Sequence, residues 1–485
     1  MDVINIPPYA PVLMEATRAI GYSIETAIAD IIDNSIAAKA SKIAINFFPM
    51  DNSYISILDN GLGMDQDELV HAMRYGSSNP MDEREISDLG RFGLGLKTAS
   101  MSQCRKLTVI SKKDNNIVGA QWDLDYVMST GEWSLKLLKG NDLDRFPHFK
   151  QIYNSHCGTL VIWQELDRLQ MGELNFDASM SRYMDKVREH LSLVFHRYLK
   201  GETSLKKIEM SINNVVVEPI DPFLTEKSTQ MMDDEVIYIE GEKVVVRPFI
   251  LPHISQLNNA EVQMLGGEDG IRKKQGFYVY RNKRLLVWGT WFKMLRQGEL
   301  SKLARIQIDI PNALDSLWTL DIKKSMAIPP EVIRRNVSAI VAKVGETSKR
   351  TWTYRGRKET EDSKVHVWKR IQTREGGVVY ELNRDYPLVQ AFSVLGTNEK
   401  RLVEQLLVQI ERSLPLNQLY VDLTSDKRIA NENKISKDDL TQLLKQFLIV
   451  YDDVAEREEM AKRLTITEPF NQYPEILSEI LQEVL

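Results

Sequence analysis

Asp30 and Asn34 stand four residues apart in the stretch Ile24 to Lys39, where Ala27, Ile28, Ile31 and Ile32 recur at helical spacing. Ser23 is placed to cap that segment and Glu25 falls in its first turn, which predicts an amphipathic helix. Residues i and i+4 share a helix face, so the carboxylate and the carboxamide lie one turn apart. The Asn oxygen suits a hard, oxygen-seeking magnesium ion, and the Asp can orient or deprotonate an attacking water. The same pair also fits the solvated polar edge of a core helix.

Two further groups follow within seventy residues. Tyr54-Ile-Ser-Ile-Leu58 is apolar and β-prone, and Asp59 ends it ahead of Gly61, Gly63 and Met64. Glycines let a flat ring approach the backbone, and an Asp oxygen can accept from an exocyclic amine such as that of adenine. An Asp-Gly turn would look the same. The third group, Gly90-Arg91-Phe92-Gly93-Leu94-Gly95-Leu96-Lys97, runs into a helix start. Backbone N–H groups at such a start bind phosphate, and Lys97 adds a positive charge in the first turn. No GxxxxGK[ST] sequence occurs, which excludes a Walker A loop, and no strand leads directly into Gly90 as a dinucleotide fingerprint requires.

The elements that must position these groups read as an α/β sandwich. Strands are expected at Lys42 to Phe47, Leu107 to Ser111, Ile117 to Trp122, Trp133 to Leu138 and Thr159 to Trp163. Helices are expected at Val12 to Ala19, Gln66 to Tyr75 and Met180 to Leu199, the last with Tyr183, Val187, Leu191, Val194 and Tyr198 on one face. Gly76 to Arg91 is a long polar connection, and such connections inside a compact domain are usually functional or disordered.

In order and spacing the three groups resemble the N, G1 and G2 boxes of the GHKL ATPases, the Bergerat-fold family that includes gyrase B, MutL, a heat-shock chaperone and histidine kinases. Gly158-Thr159-Leu-Val-Ile-Trp163 resembles the Gly-Thr strand that closes the family's adenine pocket, and Gly90 to Met101 most resembles the MORC branch, its prokaryotic members in particular. The resemblance implies ATP and Mg2+ as cofactors, with Asp30 orienting water and Asn34 as the metal ligand. Asp59, Gly61, Gly63, Met64, Thr159, Gly90, Arg91, Phe92, Gly93, Leu94, Gly95 and Lys97 would surround the nucleotide, and residues 76–91 would be the ATP lid. Two departures stand out. Most ATP-hydrolysing relatives carry Glu where this chain has Asp30, and the family's usual Asp after the Asn-Ser pair is replaced by Ala37. The shorter side chain reaches one methylene less far, so slow ATP hydrolysis is the expectation.

At 485 residues the chain exceeds one hydrophobic core. The expected fold class is α+β: an ATPase domain at 1–203, a transducer-type α/β domain at 204–350 and a mostly helical C-terminal module at 351–485. A hairpin at Lys207 to Val217 opens the second domain, followed by Gln275 to Trp288 with its turn at Asn282-Lys283, the strand Ala304 to Ile310, and helices at Asn258 to Leu265 and Trp291 to Leu295. In the family a transducer lysine reaches the γ-phosphate; Lys324, with Lys323 in reserve, matches in placement, and an exposed basic pair is the plain alternative.

Partners are read from charge and resemblance. The net charge of −6 excludes a uniformly basic DNA-coating protein. Two local groups could neutralise phosphates, namely Arg272, Lys273, Lys274, Arg281, Lys283 and Arg284 on the second hairpin, and Arg334 to Lys358 interleaved with Trp352 and Tyr354. Solvated linker faces fit equally. Asn383-Arg-Asp-Tyr-Pro387 resembles the C-terminal part of prokaryotic MORC-like proteins. The resemblance implies a clamp on DNA that homodimerises when ATP binds, in antiviral defense against phage beside a nuclease or helicase. A chaperone-like ATPase acting on protein and an ATP-binding sensor with little hydrolysis remain the alternatives. Two cysteines, no apolar run of about 18 residues and no signal-peptide layout predict a cytoplasmic protein without a membrane partner.

Overall fold

Alternation along the central strands sets the layers. In Gly158–Gln164 (β6), Val161 and Trp163 face the main core while Leu160 and Ile162 face the opposite side of the sheet. The computed structural model describes residues 3–4, 6, 8–19, 21–76, 95–202, 206–228, 234–298, 301–314, 319–320, 327–353, 365–372, 378–392, 396–416, 419, 438–439, 441–442, 454–467, 470–472 and 475. They form two compact units, Met1–Thr353 and Tyr354–Leu485.

In the first unit an eight-stranded sheet runs β5-β4-β3-β6-β2-β1-β7-β8. Its strands are Lys42–Phe48 (β1), Tyr54–Asp59 (β2), Lys106–Lys113 (β3), Asn116–Asp123 (β4), Lys136–Leu138 (β5), β6, Glu209–Ile212 (β7) and Val215–Val216 (β8). Only β1 and β7 pair in parallel. The mixed α+β architecture and this sheet are those of the Bergerat sandwich. One face is covered by Ala10–Arg18 (α1), Ile24–Ala37 (α2), Gln66–Met73 (α3), Gly95–Met101 (α4) and Phe176–Val194 (α8), around Ile28, Ile31, Ile45, Ile57, Val109, Trp163 and Leu191. The chain between Leu138 and Ile152, including Phe149–Asn154 (α6), covers the other face with Leu143, Phe146 and Phe149. That cover was not foreseen, because short apolar residues scattered through a loop carry no periodicity. Leu124–Thr130 (α5) and Asp167–Gln170 (α7) were missed for the same reason.

Several expected elements differ in the structure. The helix expected to run to Leu199 breaks at Phe195, where the backbone leaves helical values, and resumes as His196–Lys200 (α9). The hairpin expected to open the second domain pairs with β1 and extends the first sheet. No helix forms at Trp291 to Leu295; Phe292 and Lys293 take positive φ in a turn. A helix appears instead at Gly267–Lys273 (α11), after the expected one at Asn259–Met264 (α10), which has a capping box between Asn258 and Glu261.

The second sheet has the order β12-β11-β13-β10-β9, built from Glu235–Ile239 (β9), Glu242–Ile250 (β10), Gly276–Arg281 (β11), Arg284–Thr290 (β12) and Ala304–Ile310 (β13). Ile333, Val337, Ile340, Val341 and Val344 of the helix Glu331–Thr353 (α12) recur at i+3 and i+4 and bury one face of this sheet. The other face places Phe249, Tyr278, Tyr280 and Leu285 against Leu193 of α8 and Phe223. In the second unit Trp368–Gln372 and Val378–Leu382 form a hairpin (β16, β17, counting the short pair Thr319–Leu320 and Ala327–Ile328 as β14 and β15). Pro387–Ala391 (α13), Thr397–Arg412 (α14) and Val454–Leu464 (α15) follow. Arg384 of the Asn-Arg-Asp-Tyr-Pro stretch forks to Glu404 and Glu411 of α14, each at 2.8 Å, so it joins hairpin to helix.

Gly158 holds two segments together by what it lacks. Its φ is +146°, and a Cβ there would stand 2.2 Å from the carbonyl oxygen of Asp59. Gly158→Ala should therefore cost about 2–4 kcal/mol, combining backbone strain with overpacking. A urea midpoint unchanged from the native chain would refute that account.

Candidate functional site

Burial divides the pair on α2. Asp30 is 3% exposed, whereas Asn34, one turn on, is open to solvent. The Tyr22 hydroxyl donates to Asp30 Oδ2 at 3.0 Å, and a Cβ on Gly95 would stand 3.7 Å from the same oxygen, so the first residue of α4 closes on this carboxylate. From the second sheet Arg284 reaches the same helix. Its Nε donates to Asp33 at 3.0 Å and its Nη2 lies 3.8 Å from Asp30 Oδ1.

Asp59, at the end of β2, is anchored to the turn after Asn34. Its Oδ2 accepts from Ser35 Oγ at 2.8 Å, and its Oδ1 accepts from the backbone N–H of Gly61 at 2.8 Å and of Thr159 at 3.3 Å. Burial holds its carboxyl above the usual carboxylate range, although those three donors offset part of the rise. The cross-strand register sets Asp59 opposite Thr159. Ser111 of β3 then ties the wall together: its hydroxyl donates to the Gly158 carbonyl at 3.0 Å, accepts from the Met64 N–H at 2.8 Å and lies 3.0 Å from the Thr159 hydroxyl.

The glycines after Asp59 have a packing duty in this structure. A Cβ on Gly61 would stand 2.8 Å from the Ala38 carbonyl, and one on Gly63, at φ +72°, 2.0 Å from that of Lys112. The space they leave is thus taken by neighbouring backbone. Lys97 is 2% exposed, and its Nζ donates to the Ala72 carbonyl at 2.9 Å, near the C-terminal end of α3 where a cation is favoured. Desolvation pulls its ammonium down to about 8.

The structure thus gathers Asp30, Asn34, Asp59, Gly61, Gly63, Met64, Thr159 and Gly95 around α2 and the ends of β2 and β6, while the Lys97 ammonium is turned to the end of α3. Gly90, Arg91, Phe92, Gly93, Leu94, Lys323 and Lys324, and the lid beyond Gly76, lie outside the described residues. Sequence reasoning missed Tyr22, Asp33, Ser35, Ser111 and Arg284. Asp33 and Ser35 flank Asn34 on α2 and Tyr22 lies eight residues before Asp30, so these three could have been suspected from their places; Ser111 and Arg284 are joined to the site only through long-range pairing. Two members of the basic group on the second hairpin are corrected: Arg281 and Arg284 are 2% and 5% exposed, Arg281 donating to Asn312 and Arg284 to Asp33, so neither is offered to a phosphate backbone. Burial of the second sheet against α2, α8 and α9, invisible in a linear charge count, is the cause.

Among the described residues no group of three or more His, Cys, Asp or Glu converges on a metal position. The exposed Asn34 carboxamide still fits a magnesium ion, which characteristically takes one or two protein oxygens and fills its octahedron with phosphate and water. No helix among the described residues is long and apolar enough to cross a membrane.

Comparison with known proteins agrees with this geometry. Residues 22–159 match the family described as histidine kinase-, DNA gyrase B-, and HSP90-like ATPase. The ATPase morc-1 of Caenorhabditis elegans is 34% identical over 93 residues, 19% of this chain and 10% of that protein. Endonuclease Bax1 of Sulfurisphaera tokodaii is 25% identical over 218 residues, 44% of this chain and 41% of its own. DNA mismatch repair protein MutL of Fervidobacterium nodosum is 26% identical over 118 residues, covering 24% and 20% of the two chains. Each match therefore spans less than half of the relative's length. The segment from residue 22 to residue 159 is thus similar to the GHKL ATPase domain, and a 93-residue stretch of the chain is similar to a MORC ATPase.

Proposed function

We propose that the protein is a slow ATPase that works as a nucleotide-gated clamp on DNA. The observation that carries the reading is the convergence of three separated segments on α2: Gly95 closes on Asp30, Ser35 holds Asp59, and Asp59 in turn holds Gly61 and Thr159. Hydrolysis of a phosphoanhydride asks a protein mainly to hold phosphates, neutralise charge and aim a water. In this reading Asp30 orients the water and Asp59, fixed by its three donors, accepts from the adenine amine. The loop from Gly90 to Lys97 encloses the phosphates, and Lys324 or Lys323 senses the terminal one. A magnesium ion on Asn34 would supply the charge neutralisation.

Closure over the nucleotide would order residues 76–91 and favour a two-fold homodimer. DNA as the object is supported by the names of the relatives, an endonuclease and a mismatch repair protein, and by the basic stretch that begins on α12. A role in phage defence beside a nuclease or helicase rests on the resemblance to prokaryotic MORC-like proteins. Asp30 in place of the longer Glu favours a second reading, an ATP-bound sensor with little turnover.

The test is ATP turnover with duplex DNA added at rising salt, beside the same assay with an unfolded protein. Stimulation by DNA that falls steeply with salt is expected. Stimulation by unfolded protein alone would replace the clamp with a chaperone-like ATPase.

A further inference from the structure

A buried charged cluster in the first unit links its second sheet to α2. Arg284 is 5% exposed, Asp30 3% and Asp33 1%, and the guanidinium stands between the two carboxylates, with Nε on Asp33 at 3.0 Å and Nη2 3.8 Å from Asp30. Arg284 begins β12, right after the Asn282-Lys283 turn, so the second sheet delivers it. Its guanidinium lies over the Phe195 ring at 5.8 Å, where α8 breaks. Polar groups that face the cluster include Tyr22, on Asp30, and His190 and Tyr198, each close to both Asp33 and Arg284. Burial holds His190 down to about 3, so it adds no charge at neutral pH.

We propose that Arg284 is a positioning residue for Asp30: from the second sheet it supplies the counter-charge that lets two adjacent buried carboxylates coexist on α2 and keeps Asp30 aimed at its water. This rests on the reading of Asp30 as the water-orienting group. Two carboxylates a turn apart repel, and in a desolvated site that repulsion is large. One planar fork can serve both at once, which a lysine point charge cannot. Because the fork comes from the other sheet, any shift between the sheets changes the support of Asp30 directly. The same interface is pinned nearby by the Tyr198 hydroxyl on the Asn282 carbonyl and by His196 on Tyr280 at 2.7 Å.

The test compares Arg284→Met, Asp33→Asn, Asp30→Asn and the two double variants that add Arg284→Met to each, in ATP turnover, binding of a fluorescent ATP analogue and thermal melting. Arg284→Met should lower kcat by about tenfold or more with KM and analogue affinity changed less than about threefold. Adding Asp33→Asn removes the repulsion and should recover most of the lost kcat, a rescue that general destabilisation would not give. In melting, Arg284→Met should lower Tm by roughly 6 °C or more in the native background, and far less beside Asp33→Asn or Asp30→Asn. Equal Tm losses in all backgrounds, or kcat loss without rescue, would overturn the proposal. If the native chain binds the analogue yet turns over no ATP, the hydrolysis reading fails, and the melting cycle alone decides whether Arg284 holds Asp30.

Discussion

Asp30→Asn should reduce ATP turnover by about 10²–10³-fold while the protein still binds nucleotide. The substitution keeps side-chain size, and the amide oxygen can still accept from the Tyr22 hydroxyl, now 3.0 Å from Oδ2. What it removes is the anionic acceptor that can align and deprotonate a water. The loss should therefore fall on kcat rather than on KM, since a group that acts only as the water attacks contributes little to ground-state binding. Turnover within about threefold of native in Asp30→Asn would remove this carboxylate from the chemistry. Asp30→Glu asks the complementary question. The longer side chain reaches one methylene further, but the Tyr22 hydroxyl already bonds the shorter one at 3.0 Å. A gain in turnover would identify a switch slowed by reach. No turnover in either variant or in the native chain would identify a sensor.

How much of this was legible beforehand depended on distance along the chain. The helix under Asp30 and Asn34 was readable because its apolar residues repeat at helical spacing, and the strand before Asp59 because β-prone residues end at two glycines. Thr159 was placed by resemblance, and the register that sets it opposite Asp59 agrees. Arg284 was read as part of a basic surface, since sequence shows charge and not which face a hairpin buries. Asp33, 251 residues away, is what makes it a core residue. Ser111 escaped notice because a lone Ser in a strand has no signature; only three-strand pairing brings it to Met64, Gly158 and Thr159. The glycines at 61 and 63 were recognised as necessary, but the structure assigns the necessity to backbone contacts with Ala38 and Lys112.

Asn34→Ala should abolish the magnesium dependence of nucleotide binding and, with it, any nucleotide-driven dimer. Asn34 is the exposed member of the α2 pair, and its removal leaves the buried network of Tyr22, Asp30, Asp33 and Arg284 untouched, so melting should change by less than about 0.5 kcal/mol. The comparison is therefore free of unfolding as an explanation. Native protein given magnesium and a non-hydrolysable ATP analogue should shift from monomer to dimer mass in light scattering, and Asn34→Ala should stay monomeric. Affinity for the analogue should fall about 10–100-fold in the variant with magnesium present, and the two proteins should bind alike once the metal is chelated, because the carboxamide acts through the ion. That last equality carries the most weight. If the variant still bound more weakly without metal, Asn34 would be touching the nucleotide itself, and its assignment as the metal ligand would fall. If both proteins bound identically with magnesium, the ion would be held elsewhere. A native chain that binds the analogue without changing mass would separate nucleotide binding from dimerisation and move the sensor reading ahead of the clamp.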